Sequence, residues 1–172
     1  MSAYRIGVDE AGKGPVLGPM VAAAVRAAEA DLPDGIDDSK RLTAATRESI
    51  ATQLRGSPAV AVGLGVVTTD EIDDPETDMN SLTVAAQVRA LGDVVVDGDH
   101  ALVDAGDVSE SRFGRRVREG VADAGTDTEG GVTIDVTAEH GADEASRLVG
   151  AASIIAKVER DSRIDAIGEN YD

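Results

Sequence analysis

The sequence predicts a single α/β domain in which short apolar strands alternate with longer helical segments. Its 172 residues are 42% hydrophobic and 28% charged, which is enough apolar material for one core and too much for a disordered chain. Aromatic residues make up only 2%, so Ala, Val, Ile and Leu build the core, and an aromatic platform for stacking bases is excluded. The chain has no Cys, which excludes disulfide frameworks, zinc–thiolate sites and cysteine nucleophiles.

Five strands are predicted from short runs of apolar and β-branched residues. They cover residues 4–8, 20–25, 59–67, 101–103 and 132–136. The first strand ends directly before Asp9, and the fourth ends directly before Asp104. A run of three valines at residues 94–96 is ambiguous between the end of a helix and a strand.

Four helices are predicted from apolar residues at helical spacing and from residues suited to helix ends. They cover residues 43–54, 79–91, 109–124 and 143–167. Thr43 and Asp143 are expected to cap the first and the last helix, while Gly125 and Gly168 end the third and the fourth. The chain shows no internal repeat and no low-complexity linker, which indicates one continuous domain.

No segment predicts contact with a membrane. The longest uncharged run, residues 14–25, is interrupted by proline and glycine and is too short to cross a bilayer. Residues 1–5 lack the charged and apolar regions of a secretory signal. We therefore expect a cytoplasmic protein, and a monomer.

The charge is strongly acidic and is spread along the whole chain. There are 33 acidic and 16 basic residues, which gives a net charge of −17, and only Lys13, Lys40 and Lys157 are lysines. At molar salt, charges are screened over roughly 3 Å, so the self-repulsion of such a surface becomes tolerable. The composition favours adaptation to high salt. The alternative is an acidic protein that avoids nucleic acid.

Several acidic residues lie at positions where binding sites commonly form. Asp9 and Glu10 follow the first strand and Asp104 follows the fourth, and strand ends of open α/β sheets are common binding positions. Asp161, in the last helix, shares a face with apolar residues 151, 154 and 158, so we expect it to point toward the sheet. Four converging carboxylates would repel one another, and a divalent cation relieves that repulsion. Spacing alone leaves open the alternative that each is a solvated turn or helix-end residue.

Four segments carry ordered motifs. They read GVDEAGKGP at residues 7–15, DSKRLT at 38–43, VDAGDV at 103–108 and AASIIAKVERD at 151–161. In this order they resemble the signature of ribonuclease HII, the type 2 ribonuclease H, and the archaeal form most closely. The first and the last motif are long enough to make a chance match improbable.

The resemblance implies a ribonuclease H-like fold, a mixed five-stranded β-sheet flanked by helices. It also implies that Asp9, Glu10, Asp104 and Asp161 are catalytic and bind two Mg²⁺ or Mn²⁺ ions. The implied substrates are RNA–DNA hybrids and duplex DNA that contains ribonucleotides. Cleavage 5′ to a ribonucleotide would leave 5′-phosphate and 3′-hydroxyl ends, in DNA replication and repair.

Substrate contacts are implied at two motifs. Gly12, Lys13 and Gly14 stand where the family has Gly-Arg-Gly, whose backbone recognises the ribose 2′-hydroxyl, and Lys13 keeps the charge without the guanidinium fork. Ser39 and Lys40 are implied to hold a backbone phosphate. The alternatives are an ordinary turn for the first motif, and a helix start with an exposed cation for the second.

The chain departs from the family at its end and near its second histidine. The family continues with a Gly-Ser-Gly-Tyr segment, whose tyrosine stacks on a sugar, and with a tail that carries the sliding-clamp peptide. We expect the chain to lack this segment, so Tyr171 does not receive the stacking role and a clamp contact is not assessable. His140 aligns with a family histidine and is expected to pack a loop rather than bind metal.

Two other functions remain open at this stage. One is a nuclease of the same fold that ignores the ribose, which a ribonucleotide-free duplex would reveal. The other is a non-catalytic acidic protein that binds Ca²⁺ or Mg²⁺. Its sequence support is thin, because Asp97-Gly98-Asp99 lacks the remaining oxygen ligands of an EF-hand loop.

Overall fold

The computed structural model describes residues 4–13, 18–125 and 129–170, with residues 38–40 described through their backbone alone. Five strands form one mixed sheet in the order β3-β2-β1-β4-β5. They are β1 (Ile6–Ala11), β2 (Met20–Arg26), β3 (Ala61–Val67), β4 (His100–Asp104) and β5 (Asp135–Glu139). β2 is antiparallel to β1 and β3, whereas β4 is parallel to β1 and to β5. The predicted mixed sheet is confirmed.

Helices connect and cover these strands. They are α1 (Ala44–Gly56), α2 (Thr69–Asp73), α3 (Met79–Gly92), α4 (Glu110–Ala124), α5 (Ala142–Ala145) and α6 (Arg147–Glu169). Two short 3₁₀ segments, Glu29–Asp31 and Ile36–Arg41, precede α1. As predicted, Thr43 caps α1, because its side chain accepts a hydrogen bond from the Thr46 N–H. No helix of the described residues is both long and apolar enough to cross a membrane.

The sheet separates two apolar layers. Ile6 and Val8 of β1 pack with α3 and α4 on one face, while α1 and α6 cover the other face. Gly7 points toward α6, where a Cβ atom would lie 2.3 Å from the backbone of Leu148. Only glycine therefore permits α6 to lie this close to β1, and the close contact places α6 beside the end of the strand.

Several predicted boundaries differ from the structure. The first strand covers Ile6–Ala11 rather than residues 4–8, so Asp9 and Glu10 lie within it. The last strand lies at Asp135–Glu139 rather than at residues 132–136, because its pairing with β4 begins with His100 opposite Asp135. The ambiguous valines form a turn after α3, since the backbone N–H groups of Val94 and Val95 donate to the Leu91 carbonyl. The prediction for β5 was therefore wrong by three residues at its start.

The last helix does not begin at Asp143. Ser146 has extended backbone angles, which break the chain into the single turn α5 and the long helix α6. The Ser146 side chain caps α6 by accepting a hydrogen bond from the Val149 N–H. Asp143, which was expected to act as the cap, is therefore free of that role and lies within α5.

Candidate active site

The site lies where two parallel strands end. Backbone pairing of β1 with β4 runs from Ile6 opposite Ala101 to Val8 opposite Val103. The next residues of the two strands are Asp9 and Asp104, so both carboxylates leave the sheet at the same edge. The strand ends indicated this position as a possible binding site, and the family resemblance implied that Asp9 and Asp104 act together.

A third carboxylate joins them from α5. Ligand oxygens of Asp9, Asp104 and Asp143 all lie within 4.8 Å of one another. Asp9 is buried, with only 8% of its surface exposed, and the other two are half-buried. In the part of the chain that the structure describes, this is the one group of three acidic or metal-ligating residues with such proximity. Oxygen ligands at this spacing suit a hard divalent cation such as Mg²⁺ or Mn²⁺.

The electrostatics of the cluster favour a cation. Burial raises the pKa of Asp9 well above its usual value, and the charges of Glu10 and Asp104 raise it further. Burial also raises the pKa of Asp104, and the charge of Asp143 adds to the rise, while the backbone N–H groups of Asp143 and Ala142 oppose it. A bound cation would offset the repulsion that raises these pKa values.

Glu10 approaches the cluster from the other face of the sheet. Successive side chains of a strand point to opposite faces, so Glu10 points toward α3, as Ile6 and Val8 do. There its Oε2 accepts a hydrogen bond of 2.8 Å from Gln87 Nε2. Burial raises the pKa of Glu10 to about 7, the Gln87 hydrogen bond opposes the rise, and the Asp104 charge adds to it.

Asp161 lies apart from this cluster, contrary to the expectation that it points toward the sheet. The buried side chains of α6 end at Ala156, and Asp161 is exposed in a groove of about 540 Å³ between α1 and α6. Helical spacing predicted that Asp161 continues the buried stripe of α6, but its side chain is exposed in the groove toward α1.

The predicted substrate contacts lie beside the cluster only in part. Gly12 follows β1 with a φ of 88°, a conformation that favours glycine. The Lys13 side chain donates a hydrogen bond to the Gly106 carbonyl and thereby links this turn to the loop after Asp104. Gly14 lies outside the described residues. The backbone of Ser39 and Lys40 belongs to the 3₁₀ segment Ile36–Arg41, and the structure describes these two residues through their backbone alone.

A cleft of about 450 Å³ opens next to the cluster and is lined by Lys13, Arg112 and His140 among others. Arg112 donates hydrogen bonds of 2.8 and 2.6 Å to both carboxylate oxygens of Asp107, and these bonds lower the pKa of Asp107 to about 2. His140 Nε2 lies 2.6 Å from the Asp107 carbonyl, which can only accept, so the ring donates there. The expected loop-packing role of His140 matches this contact.

Sequence reasoning missed two residues of the site. Asp143 lies in α5, four residues after β5 ends at Glu139, so the rule of strand ends does not reach it. Gln87 is fully buried among apolar residues of α3, and a polar residue within an apolar helical stripe was the available signal.

Comparisons with known proteins agree on one family. The family model described as Ribonuclease HII matches residues 6–172. The chain is 56% identical over 168 residues to a ribonuclease HII of Halobacterium salinarum, which covers 98% of this chain and 74% of that protein.

Solved structures agree with the sequence matches. The crystal structure of the ribonuclease H2 from Pyrococcus horikoshii OT3 is similar with a TM-score of 0.81 and 34% identity, over 96% of this chain and 76% of that one. The RNase HII in a PCNA complex from Archaeoglobus fulgidus is similar with a TM-score of 0.81 and 33% identity, over the same shares of the two chains.

Proposed function

Because the chain belongs to the ribonuclease HII family and is an endoribonuclease of that class, we propose that it cleaves RNA in RNA–DNA hybrids by two-metal catalysis. The proposal includes cleavage 5′ to single ribonucleotides in duplex DNA, with 5′-phosphate and 3′-hydroxyl products. The observation that carries it is the approach of Asp9, Asp104 and Asp143 at the ends of β1 and β4.

The residues present fit a pair of Mg²⁺ or Mn²⁺ ions. The proposed ligands are Asp9, Glu10, Asp104 and Asp143, with Asp143 in the place that the sequence assigned to Asp161. All four offer carboxylate oxygens, which hard divalent cations prefer over nitrogen or sulfur. Burial and neighbouring carboxylates raise the pKa values of Asp9, Glu10 and Asp104, and bound cations would offset this repulsion.

The chain's own contribution is to collect charge and to hold it in place. Divalent cations, when bound, activate water and stabilise the leaving oxygen of a phosphodiester. Asp9 and Asp104 lie at the ends of β1 and β4, where the sheet holds the backbone in place. The Glu10 N–H donates a hydrogen bond of 2.8 Å to Asp9 Oδ1. This bond orients the most buried carboxylate of the group.

Recognition of the ribose would use the turn after β1. The φ of 88° at Gly12 favours glycine, and a Cβ atom there would collide with the Arg160 side chain, so only glycine permits this turn. Lys13 anchors this turn to the loop after Asp104, which places the backbone of Gly12 near the carboxylates. The 2′-hydroxyl is the group that distinguishes RNA from DNA at such a position.

Substrate binding on so acidic a surface requires high salt. A chain with a net charge of −17 repels a polyanion at low ionic strength, and molar salt screens that repulsion. Salt also weakens contacts between basic residues and phosphate. We therefore propose that metal bridging, hydrogen bonds to the 2′-hydroxyl and duplex shape supply the affinity.

The test is cleavage of an end-labelled DNA duplex that contains one ribonucleotide, in molar KCl with Mn²⁺ or Mg²⁺. The expected product is a single cut 5′ to the ribonucleotide, which disappears with EDTA and in Asp104→Asn. The same duplex without the ribonucleotide is the matched control. Cutting of that control would indicate a nuclease that ignores the ribose, and metal binding without any cut would indicate a non-catalytic metal-binding protein.

A further inference from the structure

Gln87 of α3 connects the two strand ends that carry the acidic site. Its side chain is fully buried. The Nε2 atom donates a hydrogen bond of 2.8 Å to Glu10 Oε2 and a second of 3.0 Å to the Asp104 carbonyl oxygen. Both hydrogens of the amide are therefore used, one on β1 and one on β4.

These bonds continue the link between the strands beyond their backbone ladder. The last backbone pair of β1 with β4 is Val8 opposite Val103. Glu10 lies two residues after that pair and Asp104 lies one residue after it. The Gln87 amide thus fixes the separation of the strand ends at the point where the ladder no longer does.

A neutral amide suits this position better than a cation. An Arg or Lys bonded to Glu10 would satisfy the carboxylate but would cancel charge that a divalent ion needs. The amide orients the Glu10 carboxylate and leaves its charge in place. The nearby ammonium group of Lys13 donates instead to the Gly106 carbonyl.

The stability of the core does not explain why Gln87 carries an amide instead of an apolar side chain. Its Oε1 atom is buried and has no hydrogen-bond partner among the described residues, and a half-satisfied amide is less stable in a core than an apolar side chain. Neighbouring positions on the same side of α3 carry Val84, Ala90 and Leu91, which are buried and apolar. The two donated bonds are the contacts that explain an amide here.

We propose that Gln87 is a positioning residue that holds the Glu10 carboxylate and the end of β4 in the arrangement required for divalent-metal binding. The inference rests on the proposed function of the acidic site. Groups that orient metal ligands through hydrogen bonds contribute about tenfold or more to metal affinity.

The test measures Mn²⁺ affinity of the substrate-free chain by calorimetry in molar KCl. Gln87→Met keeps the length and burial of the side chain and removes the donor, and it should weaken binding about tenfold. Thr83→Val is the matched control, because Thr83 is buried on α3 one turn earlier and donates to the Met79 carbonyl. Its affinity should stay within about twofold of wild type, since it contacts no carboxylate of the site.

A double-mutant cycle separates positioning from a general structural effect. In a Glu10→Ala background, Gln87→Met should weaken Mn²⁺ binding by clearly less than about tenfold, because only the bond to the Asp104 carbonyl remains to be lost. A full tenfold loss in that background would overturn the proposal. Cleavage assays supply a second readout, in which Gln87→Met should lower kcat at limiting Mn²⁺, recover at high Mn²⁺ and leave the KM for the duplex unchanged.

The outcomes distinguish this inference from the proposed function. Wild-type protein that binds no Mn²⁺ would overturn the proposed function, and the inference with it. Wild-type protein that binds and cleaves, together with an unchanged Gln87→Met, would overturn the inference alone. If circular dichroism shows Gln87→Met to be unfolded, Gln87→Asn replaces it, since the shorter amide cannot reach both acceptors and should also weaken Mn²⁺ binding.

Discussion

Asp104 and Asp143 lie on different elements, yet their carboxylate oxygens approach within 4.8 Å. Parallel pairing of β4 with β5 places Asp104 opposite Glu139. Gly141, with a φ of 66°, then turns the chain so that α5 lies against the strand ends. The approach therefore depends on a strand register and on a left-handed turn, both of which lie outside the motif that contains Asp104.

Asp143→Asn should reduce metal-dependent cleavage as strongly as Asp104→Asn, by about a hundredfold or more, because a bound cation supplies several kcal/mol of transition-state stabilisation. Asp161→Asn should stay within about twofold of wild type, since that side chain is exposed outside the cluster. Initial cleavage rates of the three variants provide the measurement. A severe loss in Asp161→Asn with near-normal rates in Asp143→Asn would contradict the assignment.

The metal-free chain should be more stable near pH 5 than near pH 8. The pKa of Glu10 is raised from 4.5 to about 7 in the folded chain, so the folded state holds a proton that the unfolded state releases. The stability that this proton provides is fully present below the pKa of Glu10 in the unfolded chain, and it is lost as the pH rises through about 7. The expected difference is about 3 kcal/mol for Glu10, and the raised pKa values of Asp9 and Asp104 act in the same direction.

Urea unfolding in molar KCl with EDTA measures this dependence. Glu71 and Asp107 have pKa values lowered to about 2. The stability that these two lowered pKa values contribute is present above the pKa values of the same groups in the unfolded chain, and it is lost only as the pH falls below them. Glu71 and Asp107 therefore do not contribute to a change in stability between pH 5 and pH 8. Glu10→Gln should reduce the pH dependence, and saturating Mn²⁺ should reverse its sign. A flat profile in the wild-type chain would refute the expectation.

Asp99→Asn should destabilise the fold without affecting the metal site. Asp99 is 6% exposed and accepts hydrogen bonds of 2.8 and 3.1 Å from Arg26. Because the Arg26 side chain is 34% exposed, weakening this pair should cost about 1 to 2 kcal/mol, which urea unfolding would detect. Asp97→Asn, at an exposed position two residues earlier, is the matched control. Under conditions in which the wild type, Asp99→Asn and Asp97→Asn are all fully folded, their Mn²⁺ affinities should be the same.

Stability should rise steeply with KCl. The net charge of −17 makes the folded state repel itself, and screening lengths shrink from about 10 Å at 0.1 M to about 3 Å at 1 M salt. Thermal unfolding over this range should show a rising midpoint, with sucrose of equal osmolality as the control. A midpoint that is independent of KCl, or that rises equally with sucrose, would contradict adaptation to high salt.

Local signals predicted much of the fold correctly. The alternation in β1, the cap at Thr43 and the carboxylates that follow β1 and β4 are encoded within a few neighbouring residues. Such features survive in any tertiary context that buries the apolar side of each element. They placed Asp9, Glu10 and Asp104 at strand ends, and the family resemblance implied that the three carboxylates belong to one site.

Errors arose where an element's environment decides its bounds. The start of β5 depends on its register with β4. The break at Ser146, which separates α5 from α6, is not visible in the helical pattern, so Asp143 was interpreted as the cap of one long helix. Helical periodicity assigned Asp161 to the apolar stripe of α6, but periodicity carries no information about how far the sheet extends beneath a helix. The Gln87 contacts depend on the packing of α3 across the ends of two strands.

The sequence by itself determined the α/β pattern, the family motifs, the acidic surface and three of the carboxylates at the site, because each is a property of residues close together in the chain. Tertiary structure alone decided that Asp143, rather than Asp161, completes the cluster and that Gln87 holds Glu10. Those relationships join residues far apart in the chain, and their distances follow from strand register, helix length and layer packing.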